Sequence, residues 1–178
     1  MIRPIMIWPN DSLRAKAAPI DNWEIVQSLY LDLRDTMLAF NGVGIAAPQI
    51  GVSLSMFLLL DERREIPDLI ETTDDPKVSA LINPVITELS TEEDVAEEGC
   101  LSFPNIYLPI KRPTWCVIEA RNLNGEAFSW RAEGFLARAT QHEYDHLNGK
   151  LFSDFFSELK RRSIKQRLNK WRKKYAPG

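Results

Sequence analysis

The hexapeptide QHEYDH, Gln141 to His146, contains both histidines of the 178-residue chain, four positions apart, with Glu143 directly after the first. On a helix, positions i and i+4 lie one above the other on one face, so His142 and His146 can aim two imidazoles at one point. That is the geometry of the H-E-x-x-H metal motif. Glu143 lies about 100° round such a helix from His142, near enough to take a proton from a water at the metal without itself binding the ion. Chance placement is the alternative. In a chain that uses histidine nowhere else, the spacing and the intervening glutamate favour the metal. Asp145 either orients a ligand from behind or is a solvated helix residue. Tyr144 reads as a packing residue.

A catalytic site of this kind takes three protein ligands and leaves one position open. The acids are too numerous to choose among, but there are only two cysteines. Cys116, inside the apolar run WCVIEA, reads as a small core residue. Cys100 follows Gly99 in the polar stretch EEGCLS and fits that role poorly. Its thiolate with His142 and His146 makes a Cys-His-His site. Mixed sulfur and nitrogen ligation suits zinc, ferrous iron, cobalt or nickel.

The elements that must position these groups read as an α+β domain: mostly antiparallel short strands around a central metal-binding helix, with an N-terminal helix and a C-terminal basic helix. Asp21 to Phe40 is the N-terminal helix, capped by Asp21 or Asn22, with Gly42 as a stop. GVGIAAPQIG reads as a small-residue loop and SLSMFLLL as a buried strand. DERREIPDLIETTDDPK is an acidic surface excursion. SALINPVITEL is a strand broken by Pro84, and AEEGCLSFPN a turn-rich segment. TWCVIEARNL and EAFSWRAEG form a hairpin through Asn124-Gly125. FLARATQHEYDHLNG is the metal helix, stopped at Gly149. LKRRSIKQRLNKWRKKY is the basic helix, with Leu159, Ile164, Leu168 and Trp171 as an apolar stripe.

The composition, 44% hydrophobic and 26% charged, excludes wholesale disorder. No apolar run approaches the ~20 residues of a membrane span. The net charge of −3 is unevenly spread: from Asp154 onward there are nine Lys/Arg against two acids, on a body with 13 basic and 23 acidic residues. Such a tail either meets a polyanion such as RNA or is a solvated surface helix. The chain reads as one catalytic domain, 1–178, with 157–178 a basic helical extension. Its N-terminus reads as a cytosolic start, with an organellar form cleaved from a precursor as the alternative; thiols there stay reduced.

Three segments in order resemble the peptide deformylases: GVGIAAPQ (Gly42 to Gln49), EGCLS (Glu98 to Ser102) and QHEYDH. PNDSLRAKAAPI is similar to the family's N-terminal stretch. The resemblance implies that Cys100, His142 and His146 bind one divalent metal, with Fe2+ the physiological ion and Zn2+, Ni2+ or Co2+ as substitutes. It implies that Glu143 is the general acid/base, and that Gln49 and the backbone N–H of Leu101 stabilise the oxyanion. Val43, Gly44, Ile45 and Gly99 would lie along the substrate. Phe135, Arg138 and Ala139 match positions that shape the methionine pocket, where Arg138 is an odd wall: either its stem packs there with the charge in solvent, or it faces outward. Tyr107 stands where some members carry arginine, and Arg112 matches a basic position. The implied reaction removes the N-formyl group from the formyl-methionine of nascent polypeptides and releases formate. The basic helix would sit near the ribosomal exit tunnel. The implied location is a bacterial-type cytoplasm or an organelle, with no membrane or DNA partner.

Two other readings use the same residues. A zinc endopeptidase needs a third ligand downstream of the histidines, where the acids are Asp154 and Glu158. A basic-tailed RNA-binding protein with a structural metal needs four protein ligands.

Overall fold

Strand patterning in the middle of the chain divides the interior into layers, and a computed structural model shows how. It describes residues 1–61, 66 and 77–175; apart from Asp61, Ile66 and Lys77, the acidic excursion lies outside them. In chain order the elements are α1 (Val26–Ala39), β1 (Gly44–Ala46), β2 (Met56–Leu60), β3 (Val78–Leu89), β4 (Glu93–Gly99), β5 (Tyr107–Pro113), β6 (Trp115–Arg121), β7 (Ala127–Glu133), α2 (Gly134–Leu147) and α3 (Glu158–Tyr175), with short 3-10 turns between them. Five strands form an antiparallel sheet in the order β1-β2-β3-β6-β7, and β4 and β5 form a separate two-stranded ribbon. The α+β architecture expected from the sequence is present.

Strand β2 is apolar on both faces because both are covered. Met56 and Leu58 pack with Leu29, Leu33 and Met37 of α1. Phe57 and Leu59 point the other way, as the two-residue period requires, onto Ile118, Leu136 and Ala137. The sheet therefore lies between α1 and α2. A third cluster joins Trp8, Phe103, Leu108, Ile110 and Phe152 to Ile164 and Leu168 of α3. Of the stripe read on α3, those last two are buried, Leu159 is exposed, and Trp171 is half-buried and packs its ring against Tyr175. No helix among the described residues is long and apolar enough to cross a membrane.

Several expected elements differ. The N-terminal α-helix begins at Val26, after a 3-10 turn capped by Asn22, whose side chain accepts from Glu24 N. Its stop is Asn41, with φ at 53°, one residue before the predicted Gly42. GVGIAAPQIG is not a loop: Gly44, Ile45 and Ala46 pair with Leu59, Leu58 and Phe57, and Ala47–Ile50 is a 3-10 turn. Pro84 does not break β3. A register shift between Ile82 and Val85, with Asn83 at φ 50°, places the proline in a bulge that needs no N–H from it. The first half of AEEGCLSFPN is strand, not turn, because β4 gains its partner from YLPIKRP, a segment whose two prolines hid its alternating burial. At the end of α2, Gly149 takes φ 68°, and a side chain there would collide with the Arg14 carbonyl.

Candidate metal centre and active site

Cys100 emerges from the end of β4, and His142 and His146 from the middle of α2. The ligand atoms of these three residues lie within 4.8 Å of one another. Cys100 Sγ and His146 Nε2 are 3.3 Å apart, and the two rings stand 5.1 Å apart at 70°. Sulfur and nitrogen ligands of a tetrahedral ion at ordinary bond lengths are separated by roughly 3.5 Å. The donor set thus fits a first-row divalent metal in both type and spacing.

The surroundings shift the two rings in opposite directions. Burial opposes a charge on His142, but its bonds to Cys100 and Glu98 outweigh burial and raise its pKa. His146 is shifted down by burial and by the neighbouring His142 and Arg112. The downward shift favours the neutral ring at His146, the form that ligates a metal.

The orientation of His142 is set from behind. Its Nδ1 lies 2.8 Å from Glu98 Oε2. Glu98 accepts Arg112 Nε at 2.6 Å, Arg112 Nη2 at 3.0 Å and Arg138 Nη1 at 2.8 Å. Burial would raise the Glu98 carboxyl, yet the bonds and charges of His142 and Arg112 hold it down at about 2. An ionised carboxylate only accepts, so the His142 proton sits on Nδ1 and Nε2 faces the thiol. Asp145 joins this set, since Arg112 Nη1 donates to it at 2.8 Å. Of its two readings, the ligand-orienting one is the nearer, acting through Arg112 and Glu98.

Glu143 is buried, and burial pushes its carboxyl up to about 7. One of its oxygens has no hydrogen-bond partner among the described residues. Gly44 explains how the carboxylate fits: a Cβ there would sit 2.5 Å from Glu143 Oε1. Gln49 is buried as well. Its carbonyl oxygen accepts from Ala46 N at 2.8 Å, which turns its amide nitrogen toward Cys100 Sγ at 3.5 Å and Ser102 Oγ at 3.3 Å.

A cavity of about 420 Å³ opens onto these groups, lined among others by Val43, Gly44, Gln49, Gly99, Leu101 and Glu143. Tyr107 stands at its rim, its ring against Gly99. Ile45 is fully buried in the sheet. Phe135 is 62% exposed at the start of α2, Ala139 is buried, and neither lines this cavity. Arg138 departs from both of its expected placements. It is buried, with its guanidinium on Glu98, the Ile110 carbonyl and Asp94. The residues that sequence reasoning missed are Glu98 and Arg138 as partners behind His142. Their signal was a glutamate two positions before the cysteine and an arginine four before the first histidine.

Residues 2–162 match the polypeptide deformylase family. The chain belongs to that family. A peptide deformylase of Acinetobacter baumannii (strain SDF) is 41% identical over 94% of this chain and 90% of its own length. The crystal structure of a peptide deformylase from Legionella pneumophila, 37% identical, superposes with a TM-score of 0.87 over 100% of this chain and 99% of that one. A peptide deformylase from Ehrlichia chaffeensis in complex with actinonin, 31% identical, gives 0.83 over 99% of each chain. The chain is thus a metal-dependent hydrolase of the deformylase type.

The endopeptidase reading loses its ligand: Asp154 accepts from Arg14 Nη2 at 2.8 Å and from Leu151 N at 2.9 Å, and Glu158 is an exposed partner of Arg162. The structural-metal reading lacks a fourth, since the ligand group among the described residues comprises Cys100, His142 and His146.

Proposed function

We propose that the chain removes the N-formyl group from the formyl-methionine of nascent polypeptides, releasing formate, with Cys100, His142 and His146 holding Fe2+. The observation that carries the reading is the convergence of these three ligand atoms beside a buried glutamate with an unpartnered oxygen, at the edge of a cavity. When bound, the ion supplies Lewis acidity to the formyl oxygen and lowers the pKa of water.

The protein's own groups do the rest. Glu143, poised near neutrality by burial, takes a proton from the attacking water and delivers it to the amide nitrogen as the C–N bond breaks. That transfer leaves formate and a free amine. The Gln49 amide and the Leu101 N–H donate to the oxygen that becomes negative; each such donor is worth on the order of 3 kcal/mol of barrier. The peptide lies as an extended strand between Val43–Ile45 and Gly99, where glycines permit close backbone approach. The family resemblance, not the lining of the cavity, assigns Phe135 and Ala139 to the methionine side chain.

Residues 1–178 form one catalytic domain in this reading. The 157–178 segment is a basic extension that holds the enzyme near the ribosomal exit tunnel, in a cytoplasm of the bacterial type. Incubation with formyl-Met-Ala and with an unformylated peptide of similar length tests the activity. Formate from the first and no internal cleavage of the second is expected. Cleavage of the unformylated peptide without formate release would restore the endopeptidase.

A further inference from the structure

The metal ligands come from two parts of the fold that share no strand pairing. Cys100 belongs to the β4–β5 ribbon, which is not hydrogen-bonded into the five-stranded sheet, and the histidines belong to α2, which packs on that sheet. Holding one ion between them requires that the ribbon not shift against the helix. Two arginines cross that junction in opposite directions. Arg112, on β5, reaches Asp145 on α2 at 2.8 Å. Arg138, on α2, reaches back to the ribbon at three places: Glu98 Oε1 at 2.8 Å, the Ile110 carbonyl at 2.8 Å, and both the carbonyl and the carboxylate of Asp94. Arg138 is 7% exposed, so its bonds to Glu98 and to the Ile110 carbonyl are screened little by solvent.

Arg138 also completes Glu98. Oε1 receives Arg112 Nε and Arg138 Nη1, and Oε2 receives Arg112 Nη2 and His142 Nδ1. A carboxylate has about four acceptor positions, and all four are taken. Without Arg138, Oε1 keeps only Arg112 Nε, and the carboxylate behind His142 is held from the ribbon side alone, with no bond to it from the arginine of α2.

We propose that Arg138 is a positioning residue for the metal centre, bracing α2 to the β4–β5 ribbon and locking Glu98 behind His142, so that thiolate and imidazoles stay in register around one ion. The inference rests on the metal assignment above. It gives Arg138 a place in the site although it touches neither metal nor substrate. The lysine variant should not replace it, because an ammonium on a flexible stem cannot span β4 and β5 as the planar fork does.

The test uses Co2+ as the probe. Cobalt-loaded protein is titrated with a competing chelator while the thiolate-to-cobalt charge-transfer band and the visible bands are recorded, for wild type, Arg138→Leu and Arg138→Lys. The expected result is a metal affinity about 10- to 100-fold weaker in Arg138→Leu, the usual effect of losing a partner behind a ligand. Its cobalt spectrum should be altered, with partial recovery at best in Arg138→Lys. An affinity within twofold of wild type and an unchanged spectrum in Arg138→Leu would overturn the brace while leaving the metal centre intact. Absence of a charge-transfer band in the wild type would remove the Cys100 ligand assignment, and the brace with it. If Arg138→Leu does not yield folded protein, Asp94→Ala decides. Asp94 is partly exposed and its loss frees only the outer end of Arg138, so metal should leave several-fold faster. A release rate equal to wild type would overturn the proposal.

Discussion

Helix α2 buries ten of its 14 residues, among them Arg138, His142, Glu143 and His146; the 18-residue α3 buries only Ile164 and Leu168. Both helices are polar in composition, but they place their charges in opposite surroundings. A buried ionisable group costs several kcal/mol unless it is paired or bonded. On α2, Arg138 and His142 are paired with Glu98, and Glu143 carries an oxygen without a partner beside the cavity. On α3 most cations stand in water, and the helix is held by two apolar side chains, by Arg167 on the Asn105 carbonyl at 3.2 Å, and by Arg172, which donates to the Ile7 and Trp8 carbonyls at 2.8 and 2.9 Å. Burying such an apolar side chain stabilises by about 2 kcal/mol. Charge therefore marks chemistry where it is buried and a surface property where it is not.

The contrast predicts a graded set of effects. Cys100→Ala removes one of three ligands and should abolish stoichiometric metal along with formate release, as read by metal analysis and a formate assay. Gln49→Leu keeps the metal and removes one donor to the developing oxyanion, so kcat should fall about 100-fold with little change in KM.

Glu98→Gln probes the buried network through pH. The Glu98 carboxyl is lowered from an ordinary 4.5 to about 2. A lowered carboxyl pKa gives stability that is fully present above about 4.5 and lost as pH falls toward 2. That contribution is on the order of 3 kcal/mol. The wild type should lose it on acidification over that window in denaturant melts, and the glutamine variant should be less stable at neutral pH with a flatter acid limb. An identical acid limb in both would show that Glu98 does not carry the dependence.

The smallest effect on chemistry should come from α3. Replacing the exposed Lys165, Lys170, Lys173 and Lys174 with serine should leave kcat/KM for a small formyl peptide within twofold of wild type. Co-sedimentation with ribosomes at low salt should weaken. Neutralisation is a cleaner probe than deletion of 157–178, which would expose the cluster under Ile164 and Leu168. Unchanged co-sedimentation would return α3 to a solvated surface helix.

The same contrast explains what was legible in the sequence. His142, Glu143 and His146 sit on one helix, where spacing alone fixes relative direction, and the rarity of histidine and cysteine narrowed the ligands to Cys100. The support behind them could not be read that way. Glu98, Arg112 and Arg138 meet only because β4 pairs with β5 and the ribbon closes on α2, and strand pairing depends on partners far along the chain. The acids of AEEGC and the prolines of YLPIKRP carry turn-like and strand-breaking signals that cross-strand pairing overrides. Arg138, read as a pocket wall or an outward side chain, turned instead toward a carboxylate 40 residues earlier in the chain. At Pro84 the proline signal was real, but a bulge absorbed it.

The central claim is that Glu143 moves the proton at a metal held by Cys100, His142 and His146. Formate release from formyl-Met-Ala should be measured for protein purified without oxygen and for Glu143→Ala, with the metal content of both. The account predicts one equivalent of metal in each protein and a loss of turnover of about 100-fold or more in the variant. Turnover in the metal-loaded variant equal to that of the wild type would contradict it.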